Sequence, residues 1–94
     1  MTNRYHVYML ECADGTLYTG ITNRIKERIA KHQAGKGARY TRSRLPVRLR
    51  YLERGEGKSW ALKREHELRQ LSRQQKWQLI AEKGGQIYAN PEEF

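Results

Sequence analysis

The residue types able to carry chemistry in this chain are two tyrosines, Tyr8 and Tyr18, an arginine–histidine pair, Arg28 and His32, and a carboxylate, Glu65. Tyr18 and Gly20 close a predicted strand, and Arg28 and His32 follow on a predicted helix. A phenol, a cation and an imidazole therefore gather at one strand-to-helix junction, with the last two side by side because residues four apart on a helix are neighbours. Each has an ordinary reading. An arginine beside an apolar stripe lays its stem on the core and keeps its head in water. Strand tyrosines pack, a lone helical histidine is commonplace, and glycine ends strands everywhere. Glu65 is harder to explain away. It lies four after Ala61 and three before Leu68, on the side that packs inward, where a bare charge is costly. It must pair with a neighbouring arginine or bind a cation. Glu67 lies off that stripe and is expected in water.

The elements that must position these groups follow from pattern. "YHVYMLEC" is strand-like and bounded by the turn "ADGT", with "LYTGI" at hairpin distance. A two-residue Asp14-Gly15 loop would put Tyr8 and Tyr18 on opposite faces. A three-residue loop, Ala13-Asp14-Gly15 with Gly15 left-handed, pairs Cys12 with Thr16, Leu10 with Tyr18 and Tyr8 with Gly20. The second register is the expected one, and it gives both tyrosines one face. Ile25 and Ile29 predict a helix over 23–34, capped by Thr22 or Asn23 and stopped at Gly35. "GKGARYTRSRLP" reads as a loop, and 47–54 as a third strand alternating Val47, Leu49 and Tyr51 with arginines. After the turn "GEGKS", a helix is expected over 59–71 on Trp60, Ala61, Leu68 and Leu71. Ser72 and Gln75 form a capping box for a last helix that buries Trp77 and Ile80 and stops at Gly84-Gly85. The order β-β-α-β-α-α predicts an α+β fold with a small antiparallel sheet.

Ninety-four residues make one domain, 1–94, with its core over about 4–83 and an irregular tail over 84–94. No apolar run approaches the ~20 residues of a membrane span, and "MTNRYHVYML" has no long apolar stretch followed by a small-residue cleavage site, so secretion is not expected. The single cysteine, Cys12, fits a reducing cytoplasm and has no local partner to activate it. His6, His32 and His66 show no zinc spacing. "GKGAR" is no phosphate-binding loop, and "LSRQQKWQLI" lacks the glycine turn of a helix-turn-helix. Charge is the strongest global signal. The chain has 19 basic and 10 acidic residues, and segment 24–54 alone holds eleven basic residues against Glu27 and Glu53. Such a field attracts polyanions.

Taken in order, these segments resemble the GIY-YIG nuclease domain. His6-Val7-Tyr8 stands in place of the first tripeptide and Tyr18-Thr19-Gly20 in place of the second. Arg28 and His32 match the family's Arg-x-x-x-His helix, and "ALKREHELR" its Ala-x-x-x-Glu-x-x-Leu helix, with Glu65 at the metal-ligand position. The resemblance covers about 4–83. It is closest to small single-domain bacterial members, through "ECADGTLYTGIT", "GKGARYTR" and "LSRQQK". Only the tyrosines and the second glycine of the two tripeptides are kept, and Ile21 stands where several relatives place a lysine.

The resemblance implies three antiparallel strands flanked by helices and metal-dependent hydrolysis of phosphodiesters. Glu65 would hold Mg²⁺, or another divalent cation such as Mn²⁺, and Arg28 would clamp the phosphate. Tyr18, or failing that Tyr8, would orient or deprotonate water. His32 would relay that proton or bind phosphate, and Gly20 would allow close approach. Lys36, Arg39, Arg42, Arg44, Arg69 and Arg73 would contact backbone phosphates, which position a nucleic acid without specifying its sequence. The implied partner is DNA ahead of RNA, and no membrane. The implied enzyme is a structure-selective or weakly sequence-specific endonuclease. The alternatives are a non-catalytic nucleic-acid-binding module on the same scaffold and an adaptor for an acidic protein.

Overall fold

The run "VYML" is buried at consecutive positions because it becomes the middle of a sheet covered on both faces. In the computed structural model, which describes residues 3–83, β1 (Arg4–Glu11) lies between β2 (Leu17–Thr22) and β3 (Arg48–Glu56) in the order β2-β1-β3. Both pairings are antiparallel. The helices are α1 (Ile25–Gln33), a single turn α2 (Arg39–Arg42), α3 (Lys58–Arg69) and α4 (Arg73–Glu82). The expected α+β architecture, a three-stranded antiparallel sheet flanked by helices, is the observed one. The tail over 84–94 and the stop at Gly84-Gly85 lie outside the described residues.

Alternation along the strands divides the interior in two. Tyr8, Leu10, Val47 and Leu49 pack with Ile25 and Ile29 of α1 on one face. Val7, Met9 and Tyr51 pack with Ala61, Leu68 and Ile80 on the other, under α3 and α4. Burying Ile25 and Ile29 contributes about 1.5–3 kcal/mol each, enough to seat α1 although it has no side-chain cap. The expected cap is displaced: Thr22 Oγ1 accepts from the Arg24 amide at 3.0 Å, just ahead of the helix. Ser72 and Gln75 do form the reciprocal capping box of α4.

The β1–β2 turn takes the three-residue form. Gly15 has φ +83°, and the Cys12 amide bonds the Thr16 carbonyl at 2.9 Å. Element boundaries shift by one or two residues from expectation, with α1 and α3 ending earlier than expected. The third strand runs on to Glu56, so the turn is confined to Gly57. Gly55 lies in that strand because the Trp60 ring packs where its side chain would be. The segment expected as a plain loop contains α2, too short for any hydrophobic period to announce it.

Candidate active site

The register of β1 and β2 does the first part of the positioning. Tyr8 faces Gly20 and Leu10 faces Tyr18, so both tyrosines share the sheet face covered by α1. Gly20 keeps that face clear: a Cβ there would stand 2.6 Å from the Tyr8 hydroxyl oxygen. With the space open, Tyr8 spans to His32 on α1, and its oxygen lies 2.9 Å from Nε2.

His32 is fully buried rather than at the edge of the stripe. Its Nδ1 lies 2.8 Å from Thr41 Oγ1, and the Thr41 hydroxyl donates to the Ala38 carbonyl at 3.0 Å. The threonine oxygen therefore accepts from Nδ1–H, which leaves a lone pair on Nε2 for the Tyr8 O–H. Burial first, and then the Arg28 charge, lowers the His32 pKa to about 4. Burial pushes Tyr8 up to about 12, with Arg28 pulling the other way and Tyr18 and Glu65 adding to the rise. The pair is thus neutral, with its proton on Tyr8.

Arg28, one turn before His32, faces both phenols. Burial alone would lower its pKa, but Tyr8 and Tyr18 more than offset that, so the guanidinium is charged. It forms no ion pair among the described residues. It lines an open cleft of about 320 Å³ with Thr22, Asn23, Arg24, Glu27 and Lys31.

Glu65 arrives from α3, on the other side of the sheet. Its side chain is 18% exposed, and Oε2 accepts from Arg69 Nη2 at 3.2 Å. The same Arg69 nitrogen donates to the Thr19 carbonyl at 3.1 Å, tying the pair to β2. The inward position and the pairing with an arginine are thus both realised. Glu67 is exposed, as expected, and pairs loosely with Arg64 at 3.6 Å.

No group of three or more His, Cys, Asp or Glu converges among the described residues, so a cage built wholly of protein ligands has no donors there. Mg²⁺ requires less, one or two carboxylates with water and substrate phosphates completing the shell. Glu65 fits that demand: it is mostly shielded, and only Oε2 is engaged by protein among the described residues.

The six residues expected to touch nucleic acid divide evenly. Lys36, Arg39 and Arg42 are exposed and have no carboxylate partner among the described residues. The other three have internal ties. Arg69 holds Glu65, and Arg73 donates to the Gly15 carbonyl at 3.0 Å. Arg44 bonds Asp14 at 3.0 Å and the Tyr40 carbonyl at 2.9 Å, with its guanidinium carbon 3.8 Å from the Tyr40 ring centre.

Sequence reasoning missed Thr41, which orients His32, and Tyr40, whose ring stacks on Tyr18 with centroids 6.1 Å apart. It also missed Gly37, where any Cβ would collide with the His32 ring. All three sit in the segment read as loop. The only local signal was the run of glycines and aromatic and hydroxyl residues in "GKGARYTR".

The family model for the GIY-YIG catalytic domain matches residues 4–78. A UPF0213 protein of the archaeon Natronomonas pharaonis is 51% identical over 85 residues, covering 90% of this chain and 100% of that protein. A UPF0213 protein of Staphylococcus haemolyticus is 49% identical, covering 85% and 98%. The solution NMR structure of a UPF0213 protein from Bacillus halodurans has 48% identity and a TM-score of 0.58, over 87% of each chain. That of a protein from E. faecalis has 33% identity and a TM-score of 0.60, over 96% of this chain and 98% of that one. Relatives occur in archaea as well as bacteria, which corrects the expected restriction to bacteria. These matches place the chain on a nucleic-acid-associated fold.

Proposed function

The chain belongs to the GIY-YIG catalytic-domain family, and from that premise we propose that it is a Mg²⁺-dependent endonuclease acting on DNA phosphodiesters. The observation that carries the reading is that Tyr18 and charged Arg28 gather at a Tyr8–His32 pair that exists only because position 20 is glycine, with shielded Glu65 near enough for its charge to add to the rise in the Tyr8 pKa.

Phosphodiesters resist attack because an anionic centre repels the nucleophile and the leaving alkoxide is poor. Arg28, permanently charged and planar, binds the phosphate oxygens and neutralises that repulsion. Tyr18, half-buried beside Arg28, orients the attacking water through its phenol oxygen. Tyr8 is wholly buried and holds its proton at neutral pH, so it and His32 act as a positioning unit beneath Tyr18. Glu65 would hold a divalent ion, which would supply positive charge to offset the negative charge that develops on the phosphodiester. Arg69 holds the Glu65 carboxylate in place through Oε2. The cytoplasm, where DNA and a reduced Cys12 thiol coexist, is the location that goes with this reading.

A second reading is favoured by a specific observation. Glu65 is already paired with Arg69, and no second acidic ligand converges on it among the described residues. On that reading the protein binds nucleic acid without cutting it.

Incubation with labelled duplex, single-stranded and branched DNA separates the two. Wild type with Mg²⁺ should cut and wild type with chelator should not. Glu65→Gln and Tyr18→Phe should each lose about 100-fold or more in rate. Binding retained by all three proteins without cutting establishes the second reading.

A further inference from the structure

The aromatic cleft beside the candidate site is used by nothing described so far. It has a volume of about 280 Å³ and is lined by Leu17, Tyr18, Thr19, Tyr40, Arg69 and Lys76. Its aromatic surface is Tyr18 and Tyr40, with ring planes 25° apart. Tyr40 is one of two exposed large hydrophobic residues among the described residues, at 37%, and unlike Leu62 it stands beside the candidate catalytic groups. Its placement is fixed from several sides. Arg44 lies over the ring and also bonds the Tyr40 carbonyl and Asp14. The neighbouring Thr41 is buried and bonded to His32. An exposed aromatic ring held this firmly, with Arg69 and Lys76 on the rim, has the makings of a stacking platform for a planar, negatively tethered group.

We propose that this cleft is a nucleotide subsite, which takes one unpaired DNA base, stacked on Tyr40 and Tyr18, adjoining the phosphate held by Arg28. The proposal rests on the nucleic-acid reading above and adds the form of the substrate. In a continuous duplex both faces of every base are already stacked, so only an unpaired or flipped-out nucleotide can offer a face to tyrosine. Tyr18 belongs both to the cleft and to the candidate catalytic group, which puts the base directly beside the reacting phosphate. Lys76, on the rim of the cleft, lies where the next phosphate would pass. On the other side of Arg28, the cleft formed by Arg24, Arg28 and Lys31 has no aromatic lining. The strand is therefore gripped by its base on one side and by its phosphates on the other. Because Arg44 and Thr41 hold the platform in advance, little ordering is needed when the base arrives.

The test measures binding in chelator, so that cutting plays no part. The probes are one oligodeoxynucleotide carrying a single 2-aminopurine, used single-stranded and as a full duplex, at low salt. The proteins are wild type, Tyr40→Leu, which keeps apolar bulk but has no π face, and Tyr40→Trp, which restores one. Tyr40→Leu should weaken single-strand binding by about 5- to 100-fold and duplex binding by less than about 2-fold. Tyr40→Trp should bind the single strand as wild type does. The 2-aminopurine fluorescence should be quenched by wild type and Tyr40→Trp alone. Equal losses on both DNA forms, or no loss on the single strand, would overturn the subsite while leaving the nucleic-acid reading intact. Failure of wild type to bind either form would overturn both.

Discussion

Gly20 shows how one missing methyl group organises the site. A Cβ at that position would meet the Tyr8 oxygen at 2.6 Å and its ring carbon Cζ at 2.7 Å. Tyr8 cannot swing aside cheaply, because it is fully buried and bonded to His32. Gly20→Ala should therefore destabilise the protein by about 1–3 kcal/mol, read as a lower urea midpoint, and break the Tyr8–His32 hydrogen bond, read in the imidazole NMR shifts. Unchanged imidazole shifts would mean that the ring has room the geometry denies it. His32 itself carries a pH signature. Its pKa falls from 6.5 in the unfolded chain to about 4 in the folded one. Between those values the unfolded chain binds more protons, so the stability due to the neutral ring is fully present above pH 6.5 and is lost as pH falls toward 4. The loss amounts to about 3 kcal/mol. His6, whose pKa is also lowered by burial and then by Arg54 and Arg4, acts with the same sign. The measurement is therefore the difference between wild type and His32→Gln in urea midpoints from pH 7 to pH 4. That difference should shrink with acid, and a constant one would refute the assignment.

At the scale of elements, short connections carry as much of the design as the strands and helices do. The β1–β2 loop is pinned twice, by Arg44 through Asp14 and by Arg73 through the Gly15 carbonyl. The start of α4, which supplies Arg73, depends on its capping box. Ser72→Ala should therefore cost about 1 kcal/mol, visible in thermal melts, whereas Ser72→Asp should keep most of the stability. Equal melting of wild type and Ser72→Ala would show that packing of Ile80 and Trp77 alone sets the helix. The cap was legible because its chemistry lies within four residues. So was the hairpin register, since a glycine at the third loop position and two tyrosines of matching parity leave one consistent pairing. Glu65 was legible as an inward carboxylate from the helical period alone, and its arginine partner was among the two outcomes that period allowed. What stayed hidden depends on contacts between distant segments. A four-residue helix has no period, so nothing local marks Thr41 as the partner of His32 or Tyr40 as the partner of Tyr18. The sequence likewise showed Arg44 as a charge, but not that it is tied to the distant Asp14.

For the whole molecule, what matters is how many cations remain free for a polyanion. The formal net charge is +9, yet Arg44, Arg50, Arg64 and Arg69 are each paired with a carboxylate. Along α1 and the following segment, Arg28, Lys31, Lys36, Arg39 and Arg42 have no such partner among the described residues. If each neutralises one phosphate, the logarithm of the duplex binding constant should fall against the logarithm of salt concentration with a slope of roughly −4 to −5. The geometry makes a sharper forecast than the charge count. Lys36→Ala with Arg39→Ala should flatten the slope by about 2. Arg44→Ala removes the same unit charge per residue but should leave the slope nearly unchanged, because that guanidinium is held by Asp14 and the Tyr40 carbonyl and does not reach a phosphate. Fluorescence anisotropy titrations from low to physiological salt measure all three. Slopes reduced by equal amounts per charge removed, Arg44 included, would mean that the nucleic acid responds to total charge and that the ion pairs are too weak to reserve any of it.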